Sequence, residues 1–326
     1  MLISSREIYK PYRDKFNYKV IYSGENIFRI IFGVLRLCFL GKADFYYSFK
    51  PLVTTFFPGI VHKCFYNSKL FLDVEDNDIK IDNKNFLETL RLYIRGWRSI
   101  VSYKYNKWLD IFLGFCDQKT VSSKKLQNFY NGKILRVSTV DEDYKFSQEF
   151  GDKLKLYFCG NLKDYKGLKI LKELVVGDYF NKNLELHLIG DDKQATFLEL
   201  NSLSKNVFLA GIKRNIDLYN YINKMNVLVA LQEDNYYTQA QIPAKIIEAL
   251  CCGKPIITTE VGDLKEIVLE NQNCGWVIKG NNIKELVKII KGIDYSDIEL
   301  KSKNCREKYN LEFSKKHLKK FFDDQL

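Results

Sequence analysis

Apolar residues recur along this chain in two alternating rhythms. Short runs crowd β-branched and aromatic residues together, and longer stretches space their apolar positions three and four residues apart. The first rhythm predicts strands, the second amphipathic helices, and their alternation predicts a parallel sheet wrapped by helices. In the first half, Tyr18–Ser23 (YKVIYS) reads as a strand, Glu25–Leu40 as a helix and Asp44–Ser48 as a strand. Leu52–Tyr66 follows as a helix and Lys69–Val74 (KLFLDV) as a strand. Phe86–Asp110 is a long helical stretch, Ile111–Cys116 a strand, Ser122–Tyr130 a helix and Lys133–Val137 a strand. The second half is more regular. Leu154–Cys159 leads into Gly160 and a helix from Lys166; Leu184–Ile189 ends at Gly190, and Val207–Leu209 at Gly211. Val227–Leu231 runs into a polar loop, and Ile242–Cys252 is a helix. The strands Pro255–Thr259 and Gly275–Ile278 come next, and a basic amphipathic helix over Cys305–Phe322 closes the pattern. Strands that end in glycine before a helix or loop place ligands at the carboxyl edge of the sheet.

The 326 residues suit two domains, each able to bury a core. The boundary is expected near Lys145–Asp152, giving an N-terminal domain over 1–148 and a C-terminal one over 149–304, with residues 305–326 available to complete the first. The net charge of +11 changes the picture, because it predicts an acidic partner: nucleic acid, an anionic membrane surface or a phosphorylated substrate. Residues 1–150 carry 24 Lys/Arg against 16 Asp/Glu, so +8 of that charge lies in the first half. No RNA-binding, helix-turn-helix or zinc pattern accompanies it, which argues against a nucleic-acid binder.

The eight cysteines are scattered, mostly inside apolar runs, with neither a CxxC nor a Cys/His cluster. They read as free thiols of a reducing compartment and predict no metal site. The polar start MLISSREIYKPYR is no secretory signal, and the apolar run 27–40 is interrupted by Arg29 and Arg36. It is too short to span a bilayer. The expected location is cytoplasmic, at most peripheral to the inner face of the membrane.

Three segments carry candidate chemistry. LYFCGNLKDYKGLKIL (156–171) joins a strand, a glycine turn and a helix start. There, unpaired amides, the helix dipole and the charge of Lys166 suit an anion, and Gly160 lets a phosphate approach the backbone. QIPAKIIEALCCGKPIITTEVGDLKEIV (241–268) sets Pro243 near a helix start, Gly253 at its C-cap and Glu248 inside it. A carboxylate at that place can accept both hydroxyls of a ribose. VFLAGIKRNIDLYNYINKMNVLVALQEDN (207–235) is a strand with a glycine turn, an amphipathic helix and a strand running into a polar loop.

In this order, over about 150 residues, the three segments resemble the donor domain of family 4 glycosyltransferases. The resemblance implies a GT-B fold, an α/β architecture of two Rossmann-like domains facing a cleft, here with the N-terminal one abbreviated. It also implies a retaining, metal-independent transfer from a nucleoside diphosphate sugar, with UDP-sugars favoured and no cofactor. The acceptor would be a glycan or a lipid-linked saccharide in surface polysaccharide or glycolipid synthesis. Carried over, Lys166 would hold the diphosphate and Glu248 the ribose, while Gly160, Gly190 and Gly211 line the nucleotide crevice. The loop Gln241–Ala244 would offer backbone amides, so that Asn161, Gln241, Ile242, Pro243 and Lys245 also fall at the donor. Two positions depart from the family: Ala240 stands where the first of two glutamates is often found, and Asn161 where an arginine often follows the first glycine.

The first half resembles the family more loosely. ADFYYSFKP (43–51) and KLFLDVEDND (69–78) look like the strands whose ends carry acceptor and catalytic groups, which makes Lys50, Glu75 and Asp76 the catalytic candidates. An acidic group there can polarise the acceptor hydroxyl. The first clear strand, Tyr18–Ser23, resembles the second strand of the family order, so that either the first strand and its glycine loop are absent or the start is late. Leu90–Phe115 mixes Arg, Lys, Trp and Tyr with aliphatics and is expected to contact an anionic membrane. The acidic strings at Glu75–Asp78 and Asp141–Asp143 are read as surface runs rather than metal motifs. A non-catalytic scaffold subunit of the same fold is the alternative, and a sugar-nucleotide epimerase a more distant one.

Overall fold

The structure, a computed structural model, describes residues 2–4, 18–20, 27–52, 54–75, 107–136, 146–161, 164–191, 196–213, 216–280 and 282–324. The chain forms two compact units, one of residues 1–122 and 126–134, the other of 123–125 and 135–326.

In the first unit, β1 (Leu2–Ser4) and β2 (Tyr18–Val20) form a parallel pair. A strand therefore precedes Tyr18, which the sequence pattern did not single out. Three residues are too few to display an alternation. α1 (Ile27–Cys38), β3 (Phe45–Phe49), α2 (Phe56–Tyr66) and β4 (Lys69–Val74) follow within a residue or two of expectation, except that α2 starts four residues late. The delay has a local cause: Thr55 Oγ1 donates to the Lys50 carbonyl at 2.7 Å, holding the Pro51 turn outside the helix. Residue 59 of α2 is glycine because a Cβ there would lie 2.6 Å from Leu70 Cδ1, so the helix lies directly on the sheet.

The expected strand Ile111–Cys116 is instead the end of a 3₁₀ helix over Lys107–Phe115, and the strand β5 is Gln118–Val121. Short apolar runs do not distinguish the two by periodicity. Asp117 decides the matter: its amide donates to the Leu70 carbonyl at 2.9 Å, and its carboxylate accepts the Leu70 amide at 2.7 Å and Lys63 Nζ at 2.5 Å. Pairing with β4 thus begins after Cys116. α3 (Lys124–Tyr130) and β6 (Lys133–Ile134) complete a parallel sheet ordered β3-β4-β5-β6. The stretch 90–106, Asp76 and the string 141–143 lie outside the described residues.

The second unit holds β7 (Leu154–Cys159), a 3₁₀ turn Asp164–Lys166, α4 (Leu168–Val175), α5 (Asp178–Asn183), β8 (Leu184–Ile189), α6 (Thr196–Leu203) and β9 (Val207–Gly211). Then come α7 (Ile216–Asn223), β10 (Val227–Ala230), a 3₁₀ turn Thr238–Ala240, α8 (Ala244–Cys252), β11 (Ile256–Thr259), α9 (Leu264–Leu269), β12 (Gly275–Ile278) and α10 (Ile283–Lys291). All six strands are parallel, in the order β12-β11-β10-β7-β8-β9. Strand alternation divides two cores: Leu156, Phe158, Val227 and Val229 pack on one face, and Tyr157, Leu228 and Ala230 on the other.

The C-terminal residues form two helices, α11 (Tyr295–Glu312) and α12 (Lys315–Asp323), rather than one over Cys305–Phe322. Phe313 turns into the core, and Ser314 Oγ caps α12 by accepting the His317 amide at 3.2 Å. Cys305, Tyr309 and Phe313 lie in the core beside α8, so residues 305–326 group with the second unit. Its edge also falls earlier than 149, at Leu135. Segment 146–149 is bound there by the fully buried Lys254, whose Nζ donates to the Ser147 carbonyl at 2.7 Å and to Gln148 Oε1 at 3.0 Å. No helix among the described residues is long and apolar enough to cross a membrane.

Candidate functional site

The order of the six strands reverses between β7 and β10. In a doubly wound sheet the loops leaving two such strands diverge to opposite faces and open a crevice at their carboxyl ends. The predicted donor residues gather at this edge. The Gly160 amide donates to the Ile189 carbonyl at 2.8 Å, and the Gly190 amide to the Gly211 carbonyl at 3.0 Å, so three neighbouring strand ends are laced together. Gly190 has φ 151°, and a Cβ there would lie 2.5 Å from the Gly160 carbonyl oxygen. Only glycine lets these two loops meet backbone to backbone. Asn161 is exposed beside them.

Across the switch point, the Glu233 amide donates to the Tyr165 carbonyl at 2.9 Å, tying the loop after β10 to the turn that carries Lys166. Gly167, at φ 80°, lies so close to Leu231 that an added Cβ would approach its Cβ to 2.6 Å. The loop after β10 is folded by its own polar groups. Asn235 Oδ1 accepts the amides of Tyr237 and Thr238, both at 3.0 Å, and Thr238 Oγ1 donates to the Glu233 carbonyl at 2.6 Å. It delivers an exposed Gln241 and half-buried Ile242 and Pro243 to the start of α8. Pro243 is the N-cap, with no side-chain cap bond. The Ile246 amide donates to the Pro243 carbonyl at 2.9 Å, and the amides of Ala244 and Lys245, which come before it in this nine-residue helix, stand at the end that suits an anion.

Lys245 and Glu248 stand one turn apart on α8, on the same side. The Lys245 ammonium nitrogen is buried, has no hydrogen-bond partner, and sits 3.8 Å from the centroid of the Phe158 ring. Burial, and then the neighbouring charge of Lys166, push its pKa down to about 7. Burial raises the Glu248 carboxyl, with Lys245 pulling it back, and lifts the Cys159 thiol to about 12. Two lysines and one carboxylate thus converge on the carboxyl end of β7. The cations suit a diphosphate, and the carboxylate, an acceptor only, suits a vicinal diol.

The second cation is what sequence reasoning underused. Lys245 was placed at the donor by its motif, but its ammonium reaching back to the strand that also leads to Lys166 is a tertiary fact. It brings a second basic group near the position where Asn161 provides none. Ala240 is fully buried and offers no side chain to a ligand. Its neighbour Gln239 is engaged by Lys125 Nζ at 2.7 Å and by Asp234 Oδ1 at 2.7 Å.

In the first unit, Lys50 and Glu75 lie just beyond the carboxyl ends of the adjacent strands β3 and β4. Lys50 has φ 68°, and its amide donates to the Asp73 carbonyl at 2.8 Å; Glu75 is exposed. The sequence reading passed over Asp73, a buried carboxylate that accepts Thr120 Oγ1 at 2.6 Å and whose pKa burial raises. An acid inside the apolar run LFLDV was the available signal.

Comparison with known proteins bears on the fold. Residues 153–293 match the model of the family described as Glycosyl transferases group 1. The chain is 27% identical over 231 residues to Uncharacterized glycosyltransferase MJ1069 of Methanocaldococcus jannaschii, covering 63% of this chain and 56% of that protein. It is 28% identical over 175 residues to Uncharacterized glycosyltransferase MJ1178 of the same organism, covering 52% of this chain and 46% of the relative. The chain thus spans about half the length of the curated relatives it matches. Among solved structures, a glycosyltransferase from Rickettsia africae ESF-5 superimposes with TM-score 0.70 at 14% identity, covering 98% of this chain and 88% of that one. Anabaena Alr3699/HepE in complex with UDP and glucose gives TM-score 0.67 at 14% identity, covering 97% and 87%. The fold is α/β, GT-B, with two Rossmann-like domains.

Proposed function

We propose, for a chain with the GT-B fold and a group 1 glycosyltransferase domain over residues 153–293, that it moves a sugar from a nucleoside diphosphate sugar to a saccharide or lipid-linked acceptor. The convergence of Lys166, Lys245 and Glu248 at the switch point carries the reading. A leaving diphosphate gains negative charge as the glycosidic bond breaks, and the lysines and helix amides gathered around it lower that barrier. In this reading charge neutralisation comes from the protein, with no tightly bound metal and no cofactor. The acceptor hydroxyl attacks from the face the diphosphate leaves, so that configuration is retained and no covalent nucleophile is assigned. Glu75, exposed at the carboxyl edge of its sheet, is the candidate to polarise that hydroxyl, with Asp76 next to it in sequence and Lys50 at the end of the neighbouring strand.

Uridine is the favoured base, supported by the likeness to a protein solved with UDP. A panel of UDP-, GDP- and ADP-sugars, followed by thermal shift and by release of free nucleotide, tests the reading. One class is expected to stabilise the protein and to turn over. If none binds, the site assignment is lost and a non-catalytic scaffold gains, an alternative favoured by the buried Ala240.

We place the protein on the inner face of an anionic membrane. Support comes from the net charge of +11 and from exposed apolar groups: Phe32 and Phe39 on α1, and Ile111 and Phe115 on the 3₁₀ helix. Vesicles containing phosphatidylglycerol should sediment the protein at low salt and release it at high salt, while neutral vesicles leave it in the supernatant. Equal partition to both vesicle types would remove the charge argument.

A further inference from the structure

A lysine whose ammonium is buried without a partner is poorly placed to be charged, because desolvation of the ion goes unrepaid. Lys245 is in that position: its Nζ makes no hydrogen bond and rests on the face of the Phe158 ring, 3.8 Å from the centroid. The titratable groups that face it are Cys159 from β7, Lys166 from the turn after β7, and Glu248 from its own helix. Cys159 has its pKa lifted to about 12, so it stays a neutral thiol at physiological pH, and Lys166 repels a second positive charge. Cys159 and Glu248 favour the charged form, but the thiol is itself neutral there and the Glu248 carboxyl is raised by burial. A diphosphate bound at the open amides of α8 and at Lys166 would reverse this balance, bringing negative charge to the one place where Lys245 lacks it.

We propose that Lys245 is stowed as a neutral amine against Phe158 in the free protein and takes up a proton from solvent when the diphosphate of the donor binds, turning its ammonium to the phosphates. The step balances simply: one buffer proton joins the nitrogen lone pair, and no covalent bond to the donor forms or breaks. Lys245 is then the second cation of the donor site, installed by the ligand itself, and the site holds less uncompensated positive charge when empty. Donor affinity should therefore change with pH around the free-state value of about 7. Below it the lysine is already charged and no proton is needed. Above it each binding event draws one.

This inference rests on the donor-site reading, and the experiment separates the two. Calorimetric titration uses the tightest binder among UDP-, GDP- and ADP-glucose, whose diesterified phosphates do not titrate near neutrality. Repeating it in buffers of different ionisation enthalpy counts protons. At pH 8 the uptake expected is about 0.9 proton per donor, and at pH 6 about 0.1. Lys245→Met should bind at least about tenfold more weakly and take up no proton. Uptake near zero in the wild type at pH 8, or unchanged uptake in Lys245→Met, overturns the proposal while leaving the donor site intact. Failure of the wild-type protein to bind any of the three nucleotide sugars overturns the donor-site reading instead.

Discussion

Replacing Glu248 with alanine is expected to lower kcat/KM for the bound nucleotide sugar by about 100-fold or more. The carboxylate is half-buried at the switch point, one helical turn from Lys245, with its pKa raised by burial. Holding a charged acceptor there is unfavourable unless a ligand's hydroxyls satisfy it. Each hydrogen bond to a charged group contributes about 1.5–3 kcal/mol, so two bonds to a diol amount to roughly 3 kcal/mol or more. The ribose is remote from the bond being broken and is held equally in ground and transition states, so the loss should appear mainly in KM. Lys166→Ala should behave differently. It removes charge from the leaving group, so kcat should fall as well, by about 100-fold. Wild-type values in both variants would sink the assignment. Glu248→Ala should melt no lower than the parent, because a desolvated carboxylate is removed; a large drop in Tm would mean that the residue is structural.

The second large effect concerns stability rather than turnover. Lys254 is fully buried, and its Nζ donates to the carbonyls of Ser147, Asn223 and Met225 at 2.7, 3.1 and 2.8 Å and to Gln148 Oε1 at 3.0 Å. It joins the entry segment 146–149, the end of α7 and the start of β11 at a single point. Lys254→Met keeps the length of the side chain and removes every donor, leaving buried acceptors unpaired. The expected loss is about 3–5 kcal/mol, since each buried acceptor left unpaired costs about 1–3 kcal/mol. At roughly 2–4 °C per kcal/mol in a unit of this size, Tm should drop by about 6–20 °C. Below that temperature the variant should still bind nucleotide sugar, since Lys254 lies at the amino end of its strand and the donor loops lie at the other. A Tm within about 1 °C of the parent would refute the role, because surface substitutions produce changes of that order.

Lys254 and Lys245 also mark how far the sequence is legible. Both stand in one motif, nine residues apart, and nothing in local pattern separates them. The fold sends one to the amino end of β11, where four acceptors surround it, and the other to the carboxyl edge of the sheet, where none does. The glycines are the opposite case. Gly160, Gly190 and Gly211 were readable as a ligand edge because a strand that stops at glycine announces a tight turn, and the three do lie together. The strand expected at Ile111–Cys116 failed because five apolar residues fit either a strand or a turn of helix, and a carboxylate at Asp117 chose between them. The single C-terminal helix failed for a related reason: helical periodicity continues through Phe313, but burial of its ring and the Ser314 cap break the chain there.

The donor domain was the sequence's own to determine. Alternating periods of two and 3.6 residues, punctuated by glycine, are local properties of a chain, and they specify parallel strands, covering helices and the edge where an anion can bind. Only the tertiary structure decided which strands are neighbours, and hence that β7 and β10 flank the switch point and bring Lys166, Lys245 and Glu248 to one place. It also decided which of these charges is satisfied. The donor to a buried group comes from residues far away in sequence, and periodicity carries no information about that partner.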